Sequence, residues 1–158
     1  MLALAALPGC GLRPLYAGGA GGSVAQALAA VDVGPIGGKS GWLMRNRLQD
    51  RLHAAGTAPA RYRLEVELDD QIIGLGVRSD NSVTRERRTL RARFRLIDQG
   101  SDSVVLDATA GSDAGIDVVS SDYATVAAEQ TALENLVGAV ADQIVARVGL
   151  YASRHANP

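Results

Sequence analysis

Arg85-Glu86-Arg87-Arg88-Thr89-Leu90-Arg91-Ala92-Arg93-Phe94-Arg95-Leu96 is the stretch that decides the fold. Leu90, Ala92, Phe94 and Leu96 share one parity. Arg85, Arg87, Arg91, Arg93 and Arg95 share the other, interrupted only by Thr89. A period of two means a strand with one face on an apolar core and one in water. The same alternation runs from Tyr62 to Asp69 and from Val104 to Ala110. Ser79-Asp80-Asn81-Ser82 and Asp98-Gln99-Gly100-Ser101-Asp102 separate the three runs and carry turn chemistry. Three such strands predict an antiparallel sheet covered on one side.

Upstream, Ala27 to Ile36 predicts a first strand, with Val31 and Val33 pointing one way and Asp32 the other. Gly34-Pro35 and Gly37-Gly38 end it. From Ser40 to Ala55 the spacing predicts a helix, its apolar stripe made of Met44, Leu48, Leu52 and Ala55. Gly56 and Pro59 stop it. Downstream, a long helix is predicted from Ser121 to Tyr151, with Ser121 or Asp122 as cap. Val126, Leu133, Val137, Val140, Ile144, Val148 and Tyr151 form its stripe. The order βαβββα predicts an α+β two-layer sandwich. Its four-stranded, mostly antiparallel sheet would carry two helices on one face. Residues 26–153 would form that single domain, and 154–158 a tail.

The chain has 158 residues and is 47% apolar, enough for one domain with a true core and too apolar for a disordered chain. No run approaches the roughly 20 apolar residues of a membrane span. The net charge of −1 points to no partner. Its distribution does, because Lys39 is the sole lysine and the arginines concentrate between Arg85 and Arg95.

Cys10, the only cysteine, sits in Leu7-Pro8-Gly9-Cys10-Gly11 after an apolar Met1–Leu7. A short apolar run followed by a small residue and cysteine is the layout of a bacterial lipoprotein processing site. On this reading residues 1–9 are the remnant of a signal peptide whose start lies upstream. Lipid would be attached at Cys10, and residues 10–25, with their glycine run, would be a flexible linker reaching about 50 Å. Each buried methylene contributes about 0.8 kcal/mol, so two or three acyl chains anchor stably where one does not. The alternative is a free thiol in an exported chain.

Catalytic chemistry is not legible. His53 and His155 are the only histidines and neither has a partner at ligand spacing. Gly34 to Gly41 lacks the phosphate-loop and dinucleotide patterns. No enzyme activity, metal or cofactor is expected. The arginines are the sharper signal. Turned near Ser79–Asp80, the hairpin would set Glu67 opposite Arg91 and Glu65 opposite Arg93, with Asp107 flanking Arg93. Cross-strand pairs of this kind contribute about 0.2–1 kcal/mol each. Arg85, Arg87 and, on the other face, Arg88 lie nearer the tip, across from Leu75 and Val77, where acids are scarce. Guanidinium forks bind phosphate and carboxylate bidentately, so Arg85, Arg87, Arg88 and Arg91 are the candidates for an anionic partner. Nucleic acid is disfavoured by a 4% aromatic content and by the export signal. Lipid head groups are the anions that remain.

Cys10-Gly11-Leu12-Arg13-Pro14-Leu15-Tyr16 resembles the mature start of LptE-type lipopolysaccharide-assembly lipoproteins of alphaproteobacterial character. The stretch from Ser121-Asp122-Tyr123-Ala124-Thr125-Val126 through Ala141-Asp142-Gln143-Ile144-Val145-Ala146-Arg147 to Leu150-Tyr151 resembles their last helix. The resemblance implies a non-enzymatic outer-membrane lipoprotein. Such a protein plugs the lumen of an LptD-type β-barrel, assists its assembly and helps insert lipopolysaccharide into the outer leaflet. The runner-up is an auxiliary lipid-binding lipoprotein of an envelope ABC transporter. That role needs an apolar groove, and the charged sheet face argues against one.

Overall fold

A computed structural model describes residues 22–77 and 83–155. In chain order the elements are α1 (Ser23–Ala29), β1 (Val31–Val33), α2 (Gly38–Leu52), β2 (Tyr62–Val77), β3 (Val83–Asp98), β4 (Ser103–Asp117) and α3 (Asp122–His155). The sheet order is β1-β2-β3-β4, with β1 parallel to β2 and the other pairs antiparallel. This is the expected α+β sandwich with one additional helix. The predicted turn at 79–82, the leader, Cys10 and most of the linker lie outside the described residues.

The alternation in β3 is realised as read. Leu90, Ala92, Phe94 and Leu96 are buried in the core, while Arg91 and Arg93 face water. Leu64 and Val66 of β2 and Ala110 of β4 complete the apolar face. Met44, Leu48 and Leu52 of α2 and Leu133, Val137, Val140, Ile144 and Val148 of α3 close over it. Apolar burial at about 25 cal/mol per Å² supplies the drive for this layering. Ser121 starts α3, its hydroxyl accepting a hydrogen bond from the Ala124 amide at 3.4 Å. Tyr151 meets Tyr62 edge-on at 6.1 Å between ring centres, closing the far end.

Four expectations need correction. The first strand does not occupy 27–36. Ser23 to Ala29 is α1, which begins inside the span read as linker, and the strand is only Val31–Val33. Val24, Ala25, Leu28 and Ala29 recur at helical spacing and are all buried, and that packing overrides the extended reading. Val31 and Val33 do point inward and Asp32 outward. Second, β2, β3 and β4 run well past Asp69, Leu90 and Ala110 at the hairpin end, because pairing continues after the strict apolar alternation stops. Third, two stripe residues are not core: Ala55 follows the end of α2, and Val126, in the second turn of α3, is 60% exposed. Fourth, α3 is long and apolar enough to match a membrane span, with a mean hydropathy of 1.2 over its best window, against the expectation of none. That window is 56% buried, and α3 lies along the sheet as the core helix.

Side chains of the helix layer satisfy the outer edges of the sheet. Arg45 Nε donates to the Val33 carbonyl at 3.2 Å, and His53 Nε2 lies 3.1 Å from the Val31 carbonyl. On the opposite edge, the Gln143 amide bonds both backbone groups of Gly111, at 3.1 and 3.3 Å. Unpaired strand edges invite association, and these contacts blunt two of them.

Candidate functional site

The open face of the sheet is a row of guanidiniums on β3 between two rows of carboxylates. Register fixes which acid each arginine meets. Glu65 lies opposite Arg95, Glu67 opposite Arg93 and Asp69 opposite Arg91. The expected pairing, Glu67 with Arg91 and Glu65 with Arg93, is therefore displaced by two residues. A slip of two leaves every side chain on its own face, so the apolar pattern cannot detect it. The register runs unchanged to Val77 opposite Val83.

Arg95 bonds Glu65 at 3.0 Å, and Arg93 bonds Asp107 through two nitrogens at 3.2 and 2.9 Å. The predicted flanking of Arg93 by Asp107 thus holds, diagonally, since Asp107 sits directly opposite Arg95. Arg91 bonds Asp113 at 3.2 Å, and the Thr89 hydroxyl donates to the same carboxylate at 2.8 Å. The Thr89 hydrogen bond, followed by that of Arg91, holds the Asp113 carboxyl below the usual range. The Arg93 fork does the same to Asp107, and Asp107 in turn raises Arg93. Exposed pairs of this type contribute little stability, because water screens them. Their main effect is to hold the row in order.

Towards the hairpin end the pairing thins. Arg85 meets Asp117 at 3.2 Å, with both side chains largely in water. Arg87 lies between Ile73 and Gly115 of the neighbouring strands, and among the described residues it has no ion pair. Ile73 beside it is 48% exposed. Here a cation whose charge acts on Asp113 without a close ion pair, and an open apolar side chain, share one surface. Arg88 points the other way, under the helix layer. Its fork closes on Asp70 at 2.8 and 2.7 Å and its third nitrogen donates to the Glu129 carbonyl at 3.0 Å. The Asp70 hydrogen bonds raise the Arg88 pKa against the opposing effect of burial.

Of the four predicted site arginines, the structure groups Arg85, Arg87 and Arg91 on the open face and separates Arg88 from them. Sequence reasoning missed the acids that engage them. Asp113 and Asp117 could have been found by continuing the parity of Asp107 along β4. Asp70 breaks the alternation of β2, and that break was its signal. Nearer the middle of the sheet, a trough of about 680 Å³ runs past Glu67, Asp69, Arg91, Arg93, Gln143 and Arg147. No cluster of His, Cys, Asp or Glu suited to a metal occurs among the described residues.

Among curated protein sequences none matches this chain significantly. Solved structures do share its fold. A protein described as a lipoprotein from Caulobacter crescentus CB15 is 24% identical, with a TM-score of 0.69, over 82% of this chain and 96% of that one. A minor lipoprotein from Acinetobacter baumannii is 14% identical with a TM-score of 0.62, over 76% and 90% of the two chains. The rare lipoprotein B of Shewanella oneidensis is 14% identical with a TM-score of 0.56, over 79% and 96%. Residues 28–148, from within α1 to within α3, match the family model described as LptE, lipopolysaccharide-assembly. That match covers the whole sheet and most of the helix layer, and the chain belongs to the LptE family of lipopolysaccharide-assembly proteins.

Proposed function

We propose that this protein is an outer-membrane lipoprotein, anchored through Cys10, that plugs the lumen of an LptD-type β-barrel, assists its assembly and helps insert lipopolysaccharide into the outer leaflet. The role is one of binding and positioning, without catalysis or cofactor. The observation that supports it best is the division of the sheet into two faces. The helices cover one, and the other presents a guanidinium row to water. The interior of a wide outer-membrane barrel is polar and hydrated, so such a face suits it, whereas an apolar face would not.

Within that face, Arg85, Arg87 and Arg91 are the cations able to turn towards lipid A phosphates. Arg87 leads because, among the described residues, no carboxylate is in close ion pair with it. A phosphate arriving at Arg91 or Arg85 must displace Asp113 or Asp117, which are themselves exposed and cheaply released. Arg88, fully engaged below the sheet, holds the end of β3 and β2 together. The test is purification of the tagged protein from detergent-solubilised outer membrane. A stoichiometric LptD-type barrel is expected alongside it. Recovery of the protein alone, or with an inner-membrane transporter, overturns the reading.

A further inference from the structure

We propose that the outer edge of β2 between Asp70 and Leu75 is a docking edge, built to accept an extended strand from a different protein chain. Tyr62 donates its amide to Ala30, and Leu64 accepts at its carbonyl from Gly34. Even-numbered residues of β2 therefore aim their backbone groups away from β3, and the register with β3 is unbroken as far as Leu75. By that parity Asp70, Ile72 and Gly74 present amides and carbonyls outward. Among the described residues nothing bonds them. β1 fills the same edge only opposite Tyr62 to Leu64.

The contrast with the other edges gives this gap its meaning. Arg45 and His53 occupy the β1 carbonyls, and Gln143 occupies Gly111 on β4. Natural sheets blunt an open edge with lysine, proline, a bulge or a covering element. From Gln71 to Gly76 β2 has no charge and no proline. The positive φ of 72° at Gly76 ends the regular edge. Ile72 and Ile73 are both exposed, one on each face of the sheet, so an added strand would gain apolar contact on both sides.

Charge selects the occupant. Asp69 lies opposite Arg91, but Arg91 is turned to Asp113, and Asp69 receives only the Gln71 amide, at 3.0 and 3.1 Å. Glu67 is largely in water and touches Arg95 only at 3.8 Å. These two carboxylates have acceptor capacity to spare beside the edge. The partner strand is therefore one with a basic residue at the Asp69 end and apolar residues against Ile73 and Leu75. A second copy fits poorly. Antiparallel pairing centred on Ile72 sets Leu75, not a basic residue, opposite Asp69 and leaves that carboxylate unmet.

The proposal is independent of the lipopolysaccharide reading, and its test separates the two. The whole protein is titrated with the capped peptide Val-Thr-Val-Val-Thr-Ser-Lys, and amide hydrogen exchange is followed. The expected result is protection of Ile72 and Gly74 by about tenfold, with no change at Ile73 and Leu75, whose amides already face β3. Gly74→Pro, which removes an outward N–H that the fold does not use, should abolish the protection. Should that variant unfold, Ile73→Lys keeps every N–H and should weaken binding several-fold. Replacing the peptide's lysine by glutamate should weaken it as well. Unchanged exchange at Ile72 and Gly74 on saturation overturns the proposal. So does protection that appears without peptide as a sedimenting dimer forms.

Discussion

Arg87 and Arg88 are adjacent in the chain and face opposite sides of the sheet. Arg87 stands in water beside Ile73 with no close ion pair among the described residues, while the Arg88 and Asp70 side chains are only 13% and 19% exposed. The same side chain therefore has two different uses. Arg88→Met leaves the Asp70 carboxylate half-buried without its charge-assisted hydrogen bonds, and is expected to lower unfolding free energy by about 2–3 kcal/mol in chemical denaturation. Arg87→Ala is expected to change stability by less than about 0.5 kcal/mol. It should weaken lipopolysaccharide binding about tenfold, and together with Arg85→Ala more. Unaltered lipopolysaccharide affinity in the double variant, with an unaltered melting temperature, rejects the open face as the binding surface. The parity of Arg87 and Arg88 was legible in the sequence. The pairing of Arg88 with Asp70 was not, because Asp70 reaches it through a register that only the closed hairpin defines.

At the scale of elements, the boundary between β1 and α2 shows how closely backbone can approach backbone. Gly41 lies in the first turn of α2, and a Cβ there would come within 2.6 Å of the Ile36 carbonyl oxygen. Helix propensity alone favours alanine over glycine by about 1 kcal/mol. The clash is with main chain, which cannot rotate away, and overpacking of this kind costs about 1–3 kcal/mol. Gly41→Ala is therefore expected to lower the thermal midpoint despite the better helix former, and a raised midpoint would show that the loop 34–37 yields. The elements themselves were readable to different degrees. β3 and α2 follow strict apolar periods and stand where expected in their middles, while β3 extends to Val83 and α2 runs Gly38–Leu52. α1 was misread because a seven-residue helix followed directly by a three-residue strand offers no full period of either kind. The long hairpin end of β2 and β4 was missed because its inward positions are filled by Asp70, Gly74, Ser112 and Ala114, which carry little apolar signal, although Ile116 is buried.

For the whole molecule, the membrane end and the sheet must work together. Cys10 precedes the described fold, and the family match begins at residue 28. Intact-mass measurement on protein taken from membranes is expected to show residue 10 as an acylated N-terminal cysteine. A mass retaining Met1 and a free thiol would contradict the anchor. Two-faced layering makes the sheet a surface: the helices on one side leave the other to a row of arginines and acids with Ile73 among them, and the overhang of β2 beyond β1 leaves one edge open. The sequence by itself determined the layers, since alternation in β3 and the stripes of α2 and α3 state which residues leave water, and burial of apolar area follows directly from that. Only the tertiary structure decided the pairing of arginine with acid and the open edge of β2. A two-residue slip keeps every side chain on its face and so costs the apolar core nothing, and the choice between registers falls to the turn and to contacts between residues far apart in the chain.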